Sequence, residues 1–218
     1  MDRRVVIAID GTAASGKSTN ARIVAEALGF LHVDTGAMYR TLAWHCIHHK
    51  INVKSASSVA RSCTHWNPKL EVVGNQVLLT LKDLTDDQAL RTPEVSEGSS
   101  LVAVVPAVRK WMRRKQQECA QFGSLVMEGR DIGTSVFPET DFKYYLDASL
   151  EERVKRRGAG GVADNLAVRD RQDSQRATSP LMLGLGAKYI NTSGLTIQQT
   201  SQIILDDIRA KLEPLSQN

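Results

Sequence analysis

Apolar and polar residues follow two different rhythms along this chain. Residues 4–9 (RVVIAI) form a continuous β-branched run, as a strand buried on both faces requires. Residues 18–28 place apolar side chains at helical spacing, and Gly29 follows as a C-terminal cap. Residues 31–33 predict a short strand and 36–50 a second helix. Residues 125–128 and 142–146 read as further buried strands, and Ile190 falls in a short last strand before a final helix. Ser149 with Glu152, and Thr196 with Gln199, fit the capping box, in which a side-chain oxygen satisfies an otherwise free helical N–H. Strands separated by helices imply an α/β protein with a parallel sheet.

Two stretches break the alternation. Residues 69–73 and 76–81 are apolar-rich and flank Gly74-Asn75, a dipeptide suited to the positive φ angles of a hairpin turn. They predict a small antiparallel insertion. Residues 158–168 (GAGGVADNLAV) hold three glycines and little apolar content, the pattern of a mobile loop between helices.

At 218 residues the chain fits one domain, or one domain with an insertion. The 42% hydrophobic content supports a packed core and argues against wholesale disorder. A net charge of +4 suits a protein that handles small polyanions but is too weak to argue for nucleic-acid binding. Cys46, Cys63 and Cys119 form no C-x-x-C pair and leave an odd thiol, the usage of a reducing compartment. The N-terminal apolar run is too short for a signal peptide, and no run reaches the roughly 18 residues of a membrane span. The expectation is a cytoplasmic protein with no membrane partner.

The strongest local signal is Gly11-Thr12-Ala13-Ala14-Ser15-Gly16-Lys17-Ser18-Thr19, which satisfies G-x-x-x-x-G-K-S/T between a predicted strand and a predicted helix. Its backbone N–H groups can wrap phosphates at a helix N-terminus. Lys17 would neutralise phosphoryl oxygens, and the Ser18 hydroxyl would ligate the Mg²⁺ that accompanies ATP. No guanine-reading N-K-x-D follows, and a motor's output domains have little room, so a small-molecule kinase is the better reading. Residues 34–40 (DTGAMYR) and 128–134 (EGRDIGT) each follow a predicted strand, where open α/β sheets bind ligands. In residues 169–176 (RDRQDSQR), Arg169, Asp173 and Arg176 would share one helix face. Taken alone, the first of these three stretches also reads as a plain helix start and the last as a solvated charged face.

Together, DTGAMYR, EGRDIGT with VFP following, RTPEV, the PAVR stretch and RDxxDxxR-x-x-SPL resemble the bacterial cytidylate kinase (CMP kinase) family, in that family's order and over nearly the whole chain. The resemblance implies a P-loop kinase: a single domain over residues 1–218 built on a doubly wound parallel sheet. An NMP-binding insertion falls at about 62–92 and a short lid at about 157–170. It implies transfer of the γ-phosphoryl of ATP to CMP or dCMP. Thr35, Arg40 and Arg130 would meet the acceptor phosphate, and Ser100, Arg109 and Asp131 would read the cytosine edge. Asp173 would accept from the ribose hydroxyls, with Arg169 and Arg176 closing over sugar and phosphates. Lys17, Arg130, Arg169 and Arg176 would then carry the catalysis, and Arg153 or Arg157 would be the adenine contact. Two departures stand out: Glu128 occupies a place where the family usually has Asp, and residues 158–168 are short and glycine-rich. The partners expected are ATP, CMP and dCMP, with no nucleic acid, and the chain is expected to be a monomer. A kinase for another small acceptor (UMP, or a shikimate-like one) and a non-catalytic nucleotide-binding regulator are the alternatives.

Two further features read as structural. His45, Cys46, His48 and His49 could suggest zinc, since His45 and His49 lie one helical turn apart, but no matching third and fourth ligands appear at metal spacing, so a partly exposed helix face is expected. Residues 109–115 (RKWMRRK) read as a solvated helix with Arg109 turned inward.

Overall fold

The structure, a computed structural model, describes residues 4–158, 166–176 and 178–213, the side chains of 167–169 excepted. The chain divides into two compact units, one made of Met1–His32 and Ser124–Asn218 and the other of Val33–Gly123.

In the first unit the strand predicted over 4–9 lies two residues later, as β1 (Val6–Gly11), and runs directly into the phosphate loop. Helix α1 (Lys17–Leu28) follows and stops at Gly29, whose φ of 65° and whose N–H, turned back on the Ala25 and Glu26 carbonyls, make the C-terminal cap. Strand β2 (Leu31–Asp34) carries the chain out of this unit. The chain returns as β5 (Leu125–Glu128), followed by β6 (Phe142–Asp147) and β7 (Lys188–Asn191). β1 pairs in parallel with both β5 and β6, and β6 pairs in parallel with β7. Neighbouring strands that are all parallel, linked through helices, make this an α/β fold.

The core explains the continuous apolar runs. Ile7 and Ile9 of β1, with Phe142, Tyr144 and Leu146 of β6, pack on Ala21, Val24 and Ala25 of α1. Ile204, Leu205 and Ile208 of α8 (Ile197–Leu212) complete that layer. Ala8, one residue out of phase, faces the opposite side, where Gly133 comes close enough that an added Cβ would lie 3.5 Å from the Ala8 Cβ. α8 starts on the predicted capping box: the Thr196 hydroxyl accepts from the Gln199 N–H while the Gln199 side chain accepts from the Thr196 N–H. At α6 (Leu150–Gly158) the Ser149 hydroxyl accepts from the Glu152 N–H.

α7 (Leu166–Ser174) begins inside the stretch predicted to be a loop, while residues 159–165 lie outside the described residues. It also ends two residues before Arg176, so the expected helix face shared by Arg169, Asp173 and Arg176 is not continuous.

The second unit holds the predicted hairpin, β3 (Lys69–Val73) and β4 (Gln76–Thr80), paired antiparallel with Val73 opposite Gln76 across the Gly74-Asn75 turn. Around it stand α2 (Thr35–His48), α3 (Ala56–His65), α4 (Pro93–Ala103) and α5 (Pro106–Glu118). Asp34, Ser55 and Thr92 cap α2, α3 and α4 by accepting from backbone N–H groups, and proline occupies the first position of α4 and α5, where no N–H is needed. Among the described residues, no helix is long and apolar enough to cross a membrane.

Candidate active site

In the first unit the phosphate loop leaves the carboxyl end of β1 and closes onto the first turn of α1. Gly11 has φ 145°, and a Cβ built on it would lie 1.9 Å from the Leu146 carbonyl oxygen, so the loop can leave the sheet only where there is no side chain. The Thr12 carbonyl then accepts from the Ser15 hydroxyl at 3.0 Å and from the Lys17 ammonium at 2.5 Å, which curls the loop over its own backbone. The Thr12 hydroxyl donates to Asp147 at 2.7 Å, tying the loop to the carboxyl end of β6. Lys17 is buried and Ser18 is exposed at the start of α1.

Charged groups gather around this loop. Asp10, the penultimate residue of β1, accepts from the N–H groups of Ile132 and Gly133, each at 2.8 Å. It thereby caps the π-helical turn Ile132–Val136 from across the sheet and fixes the segment that carries Arg130 and Asp131. Burial pushes the Asp10 carboxyl up to about 6, against those two hydrogen bonds and the nearby Lys17, with Asp131 adding to the rise. Burial also pulls the Lys17 ammonium down to about 7. Arg130 adds to that fall, and the carboxylates of Glu128, Asp10 and Asp170 oppose it.

Arg130 donates through Nε to Asp173 at 2.7 Å and through a terminal nitrogen to the Gly11 carbonyl at 3.1 Å. Arg176 pairs with the other oxygen of the same carboxylate, so Asp173 joins the two guanidinium groups although α7 stops short of Arg176. Arg153 is buried beside the loop, donating to the Ala13 carbonyl at 3.2 Å and pairing with Asp170, whose other oxygen accepts from the Ala13 N–H at 3.0 Å. A carboxylate thus already sits on a phosphate-loop N–H and on each of these three arginines. Phosphate oxygens make the same kind of charge-assisted bond. Arg157 is half-buried one turn further along α6. Asp131 is buried, and Arg169 lies on α7 with its side chain outside the described residues.

The remaining predicted residues belong to the second unit. Thr35 is buried in the first turn of α2. Asp34 caps that helix through one oxygen, accepting from the Ala37 N–H, and holds Arg40 at 2.9 Å through the other. Ser100 is half-buried on α4. Arg109 is buried on α5, as predicted; it donates to the Tyr39 hydroxyl at 3.2 Å and lies 5.9 Å from that ring's centroid. A cavity of about 60 Å³ beside α2, lined by Asp34, Met38, Thr41, Val77, Leu79 and Leu90, is far too small for a nucleotide.

Sequence reasoning missed Asp10, Asp147 and Asp170. Asp170 stands inside the RDxxDxxR motif without a role, and the other two carry no motif; Asp147 and Asp170 bond the loop across 135 and 157 positions, and Asp10, which leads into it, bonds Ile132 across 122.

A buried lysine at a strand–loop–helix phosphate cradle, on parallel strands whose carboxyl ends carry arginines, defines a P-loop protein of kinase type. A family model described as cytidylate kinase matches residues 7–210. The chain belongs to the cytidylate kinase family. It is 40% identical to a cytidylate kinase of Solibacter usitatus over 96% of this chain and 94% of that one. It is 38% identical to one of Bacillus cereus over 94% of this chain and 96% of that one. Among solved structures, a Thermus thermophilus protein superposes with TM-score 0.50 at 18% identity, covering 97% of this chain and 99% of its own. Thymidylate kinase of Candida albicans gives TM-score 0.50 at 15% identity, over 96% and 92% respectively. These two likenesses concern the fold alone.

Proposed function

We propose that this chain transfers the γ-phosphoryl group of ATP to CMP or dCMP, giving ADP and CDP or dCDP. The observation that carries this reading is the charged set of the first unit: a buried Lys17 under the loop and three arginines held by carboxylates, within a cytidylate kinase chain. Phosphoryl transfer needs positioning and charge neutralisation more than covalent help, and these groups supply both.

The loop N–H groups and Lys17 hold the β- and γ-phosphates of ATP, displacing Asp170 from the Ala13 N–H. Arg130 and Arg176 exchange the Asp173 carboxylate for phosphoryl oxygens, leaving Asp173 to accept from the ribose hydroxyls; Arg169 joins them. Mg²⁺ arrives with ATP as part of the substrate and offsets charge on the phosphates. The exposed Ser18 hydroxyl is a hard oxygen donor of the kind that ion takes. Thr35 and Arg40 meet the acceptor phosphate, and Arg153 or Arg157 meets the adenine. Ser100, Arg109 and Asp131 read the base: N4 of cytosine donates and N3 accepts, so the base calls for a carboxylate acceptor and for a hydroxyl or guanidinium donor.

A coupled ADP-release assay over a panel of nucleoside monophosphates tests the proposal. CMP and dCMP should be turned over and UMP much less well. Comparable turnover of UMP, or ADP release independent of any acceptor, overturns it.

A further inference from the structure

The second unit contains a group of side chains that phosphoryl transfer does not use. His45 and His49 lie one turn apart at the C-terminal end of α2, and the fold brings Asp83, from the segment after β4, up to them. The ligand atoms of the three residues all lie within 4.8 Å of one another, with His49 Nε2 3.1 Å from an Asp83 carboxylate oxygen. Around a tetrahedral ion with bonds of about 2.0–2.1 Å, ligand atoms sit roughly 3.4 Å apart. His49 and Asp83 already meet that spacing, and a ring nitrogen of His45 lies within 4.8 Å of both.

Two observations separate this cluster from a chance gathering on a solvated helix. The His45 Nδ1 is buried and has no hydrogen-bond partner, an arrangement that is costly unless something else satisfies it. Aromatic rings pack about the imidazoles: Trp66 stacks 5.9 Å from His45, and His48, stacked on Trp44 at 4.6 Å, meets His49 edge-on at 5.0 Å. The rings restrict solvent on the His45 side of the cluster, while His49 and Asp83 face water and leave the site open to an entering ion.

We propose that His45, His49 and Asp83 form a binding site for a borderline divalent cation, zinc foremost, which clips the end of α2 to the segment that follows β4. Two imidazoles and one carboxylate suit zinc, nickel or copper and reject magnesium, which takes oxygen donors. Three protein ligands leave a fourth position for water. The two histidines alone could not reveal the site, because its third ligand lies 34 residues beyond His49.

The test uses the full chain, stripped with a chelator and then titrated with Zn²⁺, Co²⁺ or Mg²⁺. Saturating Zn²⁺ should raise the melting temperature by about 5–10 °C at roughly a hundred times its Kd, and Mg²⁺ should not. Bound Co²⁺ should give the intense visible bands of a four-coordinate ion and quench tryptophan fluorescence, since Trp44 and Trp66 lie against the cluster. His49→Gln and Asp83→Asn, both at exposed positions, should fold normally and bind at least about 10-fold more weakly. Unchanged affinity in both variants overturns the proposal, as does a melting temperature indifferent to Zn²⁺. A thiolate charge-transfer band with Co²⁺ would move the metal to Cys46 or Cys63 and overturn it equally.

Discussion

The two units handle charge in opposite ways. In the first, Asp10, Lys17, Glu128, Asp131, Arg153 and Asp173 are all buried, and Lys17 and Arg153 donate directly to carbonyls of the phosphate loop. In the second, the buried Arg109 donates to the neutral Tyr39 hydroxyl, while Arg40 and Asp34 keep about a quarter of their side-chain surface exposed. Burying a charge costs several kcal/mol before its partners compensate, so the first unit gives up stability for its arrangement. The energetic expense is concentrated where charge must be preorganised against a transferring group, and little is spent where a substrate has only to be recognised.

The largest test of that contrast is Lys17→Ala. It should lower kcat by at least about 100-fold with far-UV CD unchanged, because a preorganised cation at the transition state is worth several kcal/mol. A variant keeping more than about a tenth of wild-type kcat, a loss below ~1.4 kcal/mol, would show that the buried charge is not what the first unit is built for.

Asp131→Ala probes recognition from the same unit. UMP presents an acceptor where CMP presents an amino donor, and leaving a polar group unpaired costs about 1–3 kcal/mol. The ratio of CMP to UMP turnover should therefore fall by roughly 10- to 100-fold. If the ratio holds while activity survives, the base is read wholly by the second unit.

A third effect is a pH dependence confined to the first unit. Lys17, pulled down to about 7, is largely neutral above that pH in the free protein. Bound phosphates favour its charged form, so binding an ATP analogue above pH 7 must take up a proton. Affinity should weaken by up to about 10-fold per pH unit above 7 and level off below it. Calorimetry in buffers of different ionisation enthalpy would count that proton, and Lys17→Met should abolish its uptake. Proton release, or a dependence surviving in Lys17→Met, would place the titrating group elsewhere.

The smallest effect belongs to the second unit. Tyr39→Phe removes the hydroxyl that Arg109 donates to but keeps the ring beneath the guanidinium, so KM for CMP should rise only about 2- to 10-fold with kcat little changed. A loss as large as that of Lys17→Ala would erase the distinction between the units.

What could be read from the sequence follows the same division between local and distant. The phosphate loop is nine consecutive residues whose backbone shape follows from their identities, and it was legible without a fold. So were the strands β1 and β5, because burial on both faces leaves an unbroken apolar run, and β6, whose buried Phe142, Tyr144 and Leu146 alternate with half-buried neighbours. The carboxylates that brace the loop were not, since Asp147 and Asp170 meet it only after the chain has returned from the second unit. Helices α3 and α4 were passed over because serines interrupt their apolar spacing, although Ser55, Thr92 and Pro93 mark where they start. Asp83 shows the same limit: its distance in sequence from His49 made the histidines look like surface.

The close approach at Gly11 bears on how such a loop can be inherited. With the Leu146 carbonyl lodged where a first side-chain carbon would stand, no one-letter change at that position is reachable without rebuilding β6. Three residues later, Ala14 holds a φ of 60° that glycine would adopt more easily, so that position tolerates drift toward the smaller residue. Along this short stretch the heritable quantity is a backbone path. Descendants can respell the loop wherever the path leaves room, but any lineage that keeps the path keeps the first glycine with it.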